Sequence, residues 1–328
     1  MENIDFVITW VDGGDPAWQA EKRRYQPQKN DDDSAVRYRD WDNLQYWFRA
    51  VEQYAPWVNR IHFITWGHLP GWLNTQHPKL HIVNHADYIP PQYLPVFSSH
   101  PIELNIHRIR ELAEHFVYFN DDIFLNAPVT PRNFFKNGKP VDKLIFDVLY
   151  PSQAPISPIL YNNCRAASKY IRKPALIKNN LRKIFYPWYG VAGIKNYLTL
   201  PYPWFTGFYN HHLPISFRKS DFEEVWAQEP ELMDSTCRNR FRSGDDVSPW
   251  LIRYWYLAKG EVEPCSYRQG KIFELSDDNR ALLRELKRKK YRMICCNDAG
   301  RCSDFEKVKA ELSGALHDEL PDKSRFEV

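Results

Sequence analysis

Nowhere in the 328 residues do 18 apolar residues run together, so no membrane-spanning helix is expected. The opening Met1-Glu2-Asn3-Ile4-Asp5 has neither a basic region nor an apolar signal core, which argues against secretion through a cleaved leader. No glycine-rich phosphate loop of either common type occurs, which argues against a P-loop enzyme or a dinucleotide dehydrogenase. Internal repeats and low-complexity runs are missing too. The six cysteines (Cys164, Cys237, Cys265, Cys295, Cys296 and Cys302) are not in repeated CxxC order. Neither a disulfide scaffold nor a zinc ribbon is indicated, and a reduced cytoplasmic enzyme fits best. Forty-four Lys and Arg against 41 Asp and Glu leave a net charge of +3, so bulk attraction to nucleic acid is not implied.

What is present is apolar and aromatic. Hydrophobic residues make up 43% of the chain, enough for a real core in one large domain or two smaller ones. Twelve Trp, 19 Tyr and 19 Phe are the unusual contribution. Aromatic rings give sugar-binding walls a flat apolar platform with a polar edge, although a core built from large residues would use them equally well.

The first 125 residues alternate in the manner of an α/β fold. Ile4 to Val11 reads as a buried strand stopped by Asp12-Gly13-Gly14-Asp15-Pro16. Residues 19–35, with Asp31-Asp32-Asp33, read as a polar loop. Leu44, Trp47, Phe48 and Val51 recur at helical spacing between Asp42 and Tyr54, and Pro56 ends that helix. Strands are expected over 60–66, 79–84 and 116–119, with a helix from Ser98 or Ser99 through His115. This rhythm predicts a mostly parallel sheet flanked by helices. Residues 126–235 are proline-rich and lose it, and read as an inserted, mainly helical lid or acceptor subdomain. Residues 236–270 return to the core, with a helix over 245–257. Residues 271–328 read as a basic helical tail, in which Arg284 to Arg292 carries six Lys or Arg against one Glu. That segment suits an anionic membrane surface or a polyanionic glycan, or is simply a solvated helix face.

Chemistry concentrates where strands end. Asn120-Asp121-Asp122 follows an apolar strand, the place where paired carboxylates hold Mg²⁺ or Mn²⁺ against a nucleotide diphosphate; an ordinary turn is the plain alternative. Asp12 and Asp15 at the end of the first strand put more carboxylates on the same rim. Arg37 and Arg39 precede the first long helix and could grip a diphosphate through bidentate contacts, with Asp40 beside them. His211 and His212 are both candidates for a general base, and spacing does not choose between them. Arg242 could clamp a phosphoryl group, with Asp245 and Asp246 close behind.

Longer strings then carry a resemblance. Ile4 to Trp18 resembles the first conserved region of the Stealth family of bacterial capsular and exopolysaccharide hexose-1-phosphate transferases, which are similar to the animal lysosomal-enzyme GlcNAc-1-phosphotransferase. Arg37-Tyr38-Arg39-Asp40, Tyr54-Ala55-Pro56-Trp57, Pro70-Gly71-Trp72-Leu73, Leu94 to Glu103 and Tyr118 to Asp122 resemble its second region. His212-Leu213-Pro214 with Lys219-Ser220 resembles the third, and Phe241 to Val247 the fourth.

The resemblance implies a GT-A-like fold, a divalent cation, a UDP-N-acetylhexosamine donor (UDP-GlcNAc foremost) and an oligosaccharide or polysaccharide acceptor. It implies phosphoryl transfer: an acceptor hydroxyl attacks the β-phosphorus, UMP leaves, and a sugar phosphodiester forms. Asp121 and Asp122 then hold metal, Arg242 clamps the phosphoryl group, and His212 rather than His211 is the base, with Asp40 or Asp246 as rival base or base-orienter. Asp12, Gly13 and Asp15 shape the nucleotide site, Arg39 steadies the diphosphate, and His100 and Glu103 organise the acceptor side. A cytoplasmic location is expected, with peripheral contact to the inner membrane or the capsule assembly machinery. The rival readings are an ordinary metal-dependent glycosyltransferase that releases UDP, and a polysaccharide-binding protein.

Overall fold

Ile4, Phe6 and Ile8 of strand β1 (Ile4–Thr9) enter one apolar cluster and Val7 enters another, the alternation of a strand covered on both faces. The computed structural model describes residues 3–26, 39–150 and 152–328, so Asp31 to Asp33 and Arg37 lie outside the described residues. Helix α1 (Pro16–Tyr25) starts directly after β1, with Asp15 Oδ1 accepting from the Trp18 amide and proline in the first turn. The loop expected from residue 19 is therefore helix as far as Tyr25: a cap and an N-terminal proline outweigh polar composition. Helix α2 (Leu44–Tyr54) buries the aromatic stripe on which its prediction rested.

Strands β2 (Ile61–Thr65) and β3 (Leu80–Asn84) follow, then the short helix α3 (His85–Tyr88). The long helix expected over 98–115 is cut to α4 (Ser99–Leu104) and a 3₁₀ turn at Ile106–Arg108. Asn105 explains the stop, because its side-chain amide donates to the Pro101 carbonyl at 2.8 Å and competes with the helical ladder. Strand β4 (His115–Phe119) then completes a parallel set in the order β3-β2-β1-β4. The order turns back between β1 and β4, where the carboxyl ends of an α/β sheet leave a crevice for ligands.

After the Asn120 turn come β5 (Ile123–Leu125), β6 (Phe135–Lys136) and β7 (Lys139–Asp142). Four helices succeed them: α5 (Ser157–Ser168), α6 (Lys173–Asn179), α7 (Leu181–Ile184) and α8 (Ile194–Thr199). Strand β8 (Ile215–Arg218) joins the edge of the central sheet antiparallel to β4. The stretch 126–235 is thus mainly helical but also supplies a strand to the main sheet. Helices α9 (Lys219–Gln228), α10 (Pro230–Arg238) and α11 (Trp250–Ala258) pack on the face that holds Val7. The last of these begins at Trp250 rather than at residue 245.

The final segment departs most from expectation. Strands β9 (Glu263–Pro264) and β10 (Gly270–Ser276), helix α12 (Arg280–Arg288), strand β11 (Met293–Arg301) and helix α13 (Phe305–Glu319) follow one another. Residues 271–328 therefore hold strands as well as helices. β11 pairs parallel with β10 and antiparallel with β5, setting Cys295 opposite Ile123. Leu282, Leu286, Leu312 and Leu316 enter the cluster that includes Phe6 and Trp47. The basic run hid this, because its apolar residues sit at i and i+4 between the charges. The result is a mixed α/β fold of several sheets flanked by helices.

Candidate active site

A cavity of about 1050 Å³ opens beyond the carboxyl ends of β1 and β4. Its wall includes Arg39, Asp40, His100, Glu103, Asp121, Asp122, His212 and Arg242, residues separated by up to two hundred positions in sequence. Asp12, Gly13, Asp15 and Asp246 are not part of that wall.

Asp121 and Asp122 stand on the turn between β4 and β5. Asp122 Oδ2 meets His212 Nε2 at 3.2 Å and accepts from the Cys295 thiol at 3.2 Å, while its backbone carbonyl receives the Cys296 amide at 2.8 Å. Its other oxygen, Oδ1, is buried with no hydrogen-bond partner. A buried carboxylate oxygen without a donor is costly unless something positive reaches it. Asp121 opens into the cavity yet lies deep within it. Its carboxyl is pushed up to about 7, first by loss of solvent and then by the charge of Asp122. Both observations fit a hard divalent cation, which carboxylate oxygens prefer to hold. The donor atoms that converge among the described residues belong to Asp122, His212 and Cys295, all within 4.8 Å of one another; Asp121 is not in that group. Burial and the neighbouring carboxylates hold the Cys295 thiol well above its usual range, so it acts as a proton donor to Asp122.

The paired histidines separate cleanly. His211 turns into the interior, where its Nε2 lies 2.8 Å from Asp142 Oδ1. Asp142 also receives two guanidinium bonds from Arg253 and the Tyr256 hydroxyl, and Arg253 and His211 hold its carboxyl well below the usual range despite burial. Burial takes His211 down to about 4, so it stays neutral. His212 turns the other way, to Asp122 and to the Asn120 amide at 3.4 Å. Burial opposes its protonation, but Asp122, with Glu103 and Asp121 behind it, raises the ring above its ordinary value.

The opposite wall comes from α4 and the loop before α11. Ser98 caps α4, whose His100 and Glu103 lie three residues apart on one face. Asp246 sits behind His100, fully buried, with Oδ2 2.9 Å from the His100 Nδ1, and Asn239 and the Ser243 amide hold the same carboxylate. Its carboxylate therefore lies behind the imidazole and off the cavity wall. Burial keeps the Glu103 carboxyl above its usual range, and it accepts from the Tyr118 hydroxyl at 3.0 Å. Arg242 donates to Ser99 Oγ at 3.0 Å and makes no other side-chain hydrogen bond among the described residues, leaving most of its fork for a ligand.

At the edge, Arg39 reaches Asp298 at 3.8 Å, and Asp40 accepts from the Asp42 amide. Partial burial, with Asp42 beside it, raises the Asp40 carboxyl. Asp12 Oδ1 accepts from the Gly14 amide at 2.8 Å, and the Asp12 amide donates to His68. With Asp15 capping α1, these acids shape the turn below the rim.

Sequence reasoning missed Cys295, Ser99 and Asp298. A signal for β11 was present: Met293 to Cys296 is a short apolar run ending in Asn297-Asp298, the same signature that marked β4.

Comparison with known proteins adds a separate line of evidence. Residues 2–29 match Stealth protein conserved region 1, and residues 37–142 match conserved region 2. The capsular polysaccharide phosphotransferase WcwK of Streptococcus pneumoniae is 43% identical over 330 residues, spanning 100% of this chain and 98% of that protein. The receptor polysaccharide phosphotransferase WefC of Streptococcus oralis is 38% identical over 334 residues, with 100% of each chain covered. The exopolysaccharide phosphotransferase cps2G of Lactiplantibacillus plantarum is 37% identical over 327 residues, covering 99% of this chain and 96% of its own. Among solved structures, the galactosyltransferase LgtC with donor and acceptor sugar analogs aligns with 98% of this chain and 98% of its own, at 13% identity and a TM-score of 0.40. A likeness that distant says nothing of the chemistry.

Proposed function

The chain belongs to the Stealth family of bacterial polysaccharide phosphotransferases, and from that premise we propose that it moves an N-acetylhexosamine 1-phosphate from a UDP-sugar to a glycan hydroxyl. Capsule or exopolysaccharide synthesis at the cytoplasmic face of the membrane is the setting we infer, and GT-A-like is the fold class we assign. The observation that carries the reading is the convergence of Asp122, His212 and Arg242 on one cavity.

In this reading the acceptor oxygen forms a bond to the β-phosphorus as the bond from that phosphorus to the bridging oxygen breaks. UMP departs with the bridging oxygen, and the donor's anomeric bond is untouched. His212 takes the proton of the attacking hydroxyl from its place between Asn120 and Asp122. A divalent cation held by Asp122, with Asp121 beside it, would neutralise the diphosphate and lower His212 toward its neutral form. Arg242 offers a planar fork to the equatorial phosphoryl oxygens, where charge is greatest in the transition state. Arg39 steadies the diphosphate. Asp12, Gly13 and Asp15 set the turn on which the nucleotide rests, and Asp40, on the cavity wall and near enough to raise the Asp121 carboxyl, is the rival base. Asp246 fixes His100, which with Glu103 receives the acceptor sugar.

Incubation with UDP-GlcNAc, Mg²⁺ and short glycan acceptors, followed by phosphorus NMR and nucleotide analysis, tests the reaction. UMP together with a new phosphodiester resonance is the expected result. UDP release with no phosphorus in the product would overturn phosphoryl transfer and leave an ordinary glycosyltransferase.

A further inference from the structure

Helix α8 is built inside out. Asn196, fully buried, accepts from the Phe146 amide at 2.7 Å and donates to the carbonyls of Leu144 and Ile184 at 3.1 and 2.6 Å. Thr199 is buried beside it, and Lys173 pins the chain at the carbonyls of Thr199 and Tyr202. The polar residues face the protein, so Ile194, Tyr197 and Leu198, at i, i+3 and i+4, face outward. Leu198 is 68% exposed, and the flanking Trp188, Val191 and Trp204 are 62%, 84% and 72% exposed. A lone exposed leucine needs no explanation, but a run of large apolar residues held outward by a polar lock does.

Charge points to the occupant. Between Asp147 and Asp221 the chain has no acidic residue, and residues 148–214 carry eight Lys or Arg. The net +3 of the molecule thus divides into +8 on this stretch and −5 elsewhere. Arg165, Arg172, Lys178 and Arg182 are exposed and make no ion pair among the described residues. Trp and Tyr favour the headgroup level of a bilayer, and a basic, aromatic, non-spanning surface is the pattern of interfacial binding. The basic segment 284–292 also exposes Arg284, Lys287, Arg288 and Lys290, but no large apolar side chain is exposed beside them, and Lys289 and Arg292 are engaged with Tyr54, Glu319 and the Pro128 carbonyl. No helix among the described residues is long and apolar enough to cross a membrane.

We propose that the outward face of residues 188–204, together with the exposed Arg165, Arg172, Lys178 and Arg182 of the same acid-free stretch, docks the protein on an anionic phospholipid surface. Ala154, Pro155, Ile156 and Leu160 of the same acid-free stretch line the cavity.

Flotation of the full chain with vesicles tests this, comparing equal parts phosphatidylglycerol and phosphatidylcholine with phosphatidylcholine alone. The protein should float with the anionic vesicles only, and added salt should release it. The triple variant W188S/L198S/W204S should lose at least tenfold in partitioning. The quadruple variant R165Q/R172Q/K178Q/R182Q should lose roughly several hundredfold, at about fivefold per charge. All seven positions are exposed, and an unchanged melting temperature verifies folding; the two variants test apolar and ionic contributions independently. A protein that stays in solution with anionic vesicles overturns the proposal, as does one whose variants float like wild type. A dimer by light scattering that the triple variant converts to monomer, without vesicle binding, would assign the face to a second copy instead.

Discussion

Two strand ends flank the cavity, and each carries a pair of aspartates. On the β1 side both carboxylates are occupied locally, Asp12 by the Gly14 amide and Asp15 by the first turn of α1. On the β4 side Asp122 meets His212 and Cys295 and still keeps a buried oxygen without a partner, while Asp121 opens into the cavity at an elevated pKa. Equal residue types at equal topological places therefore differ in availability. A carboxylate that has satisfied a helix or turn stabilises the fold; one left incomplete is ready for a ligand.

The most severe test of that contrast is Asp122→Asn, which should lower kcat/KM about a thousandfold in the UMP-release assay with Mg²⁺ present. If turnover persisted within tenfold, the β4 rim would be as structural as the β1 rim. Next come Arg242→Lys and His212→Gln, each expected to reduce kcat about a hundredfold with a smaller change in KM. His107 sharpens the comparison from outside the site, because its Nδ1 is also buried without a partner but lies off the cavity wall. Burial, with Arg108 and Lys219 nearby, takes this ring down to about 3. The unfolded chain thus binds the proton first, so its contribution to stability is full above pH 6.5 and falls as pH drops toward 3. Denaturant titrations between pH 6.5 and 4 should show a profile flatter for His107→Gln than for wild type, by up to about 1.4 kcal/mol per pH unit, with kcat at neutral pH within threefold. The smallest effect is expected at Asp15→Ala: about 1 kcal/mol of stability by thermal melting, with a rise in donor KM and little change in kcat.

Legibility followed sequence distance. The central strands were readable because each is a short β-branched or aromatic run closed by a turn, and Asp121-Asp122 stood out because it ends one of them. The contacts of Asp246 and Cys295 were not readable. His100 and Asp246 meet across 146 positions, and Cys295 reaches Asp122 across 173, so only tertiary packing brings them together. Helix boundaries failed where a side chain competed with the backbone, as at Asn105, or where a cap overrode polar composition, as at Asp15. Strands β10 and β11 were obscured by flanking charge. Lys and Arg dominate the local pattern there, although Leu282 and Leu286 already mark a buried face.

The pairing of β11 with β5 has a consequence for how the protein comes into being. The aspartate turn is made early, but the thiol and the Cys296 amide that hold it arrive some 170 residues later. A nascent chain halted after β4 and β5 would display the two acidic residues without the strand that fixes them. The candidate site is therefore complete only once β11 has cleared the ribosome. A premature stop codon between residues 219 and 296 would yield a chain with the central sheet's sequence and an unfinished floor.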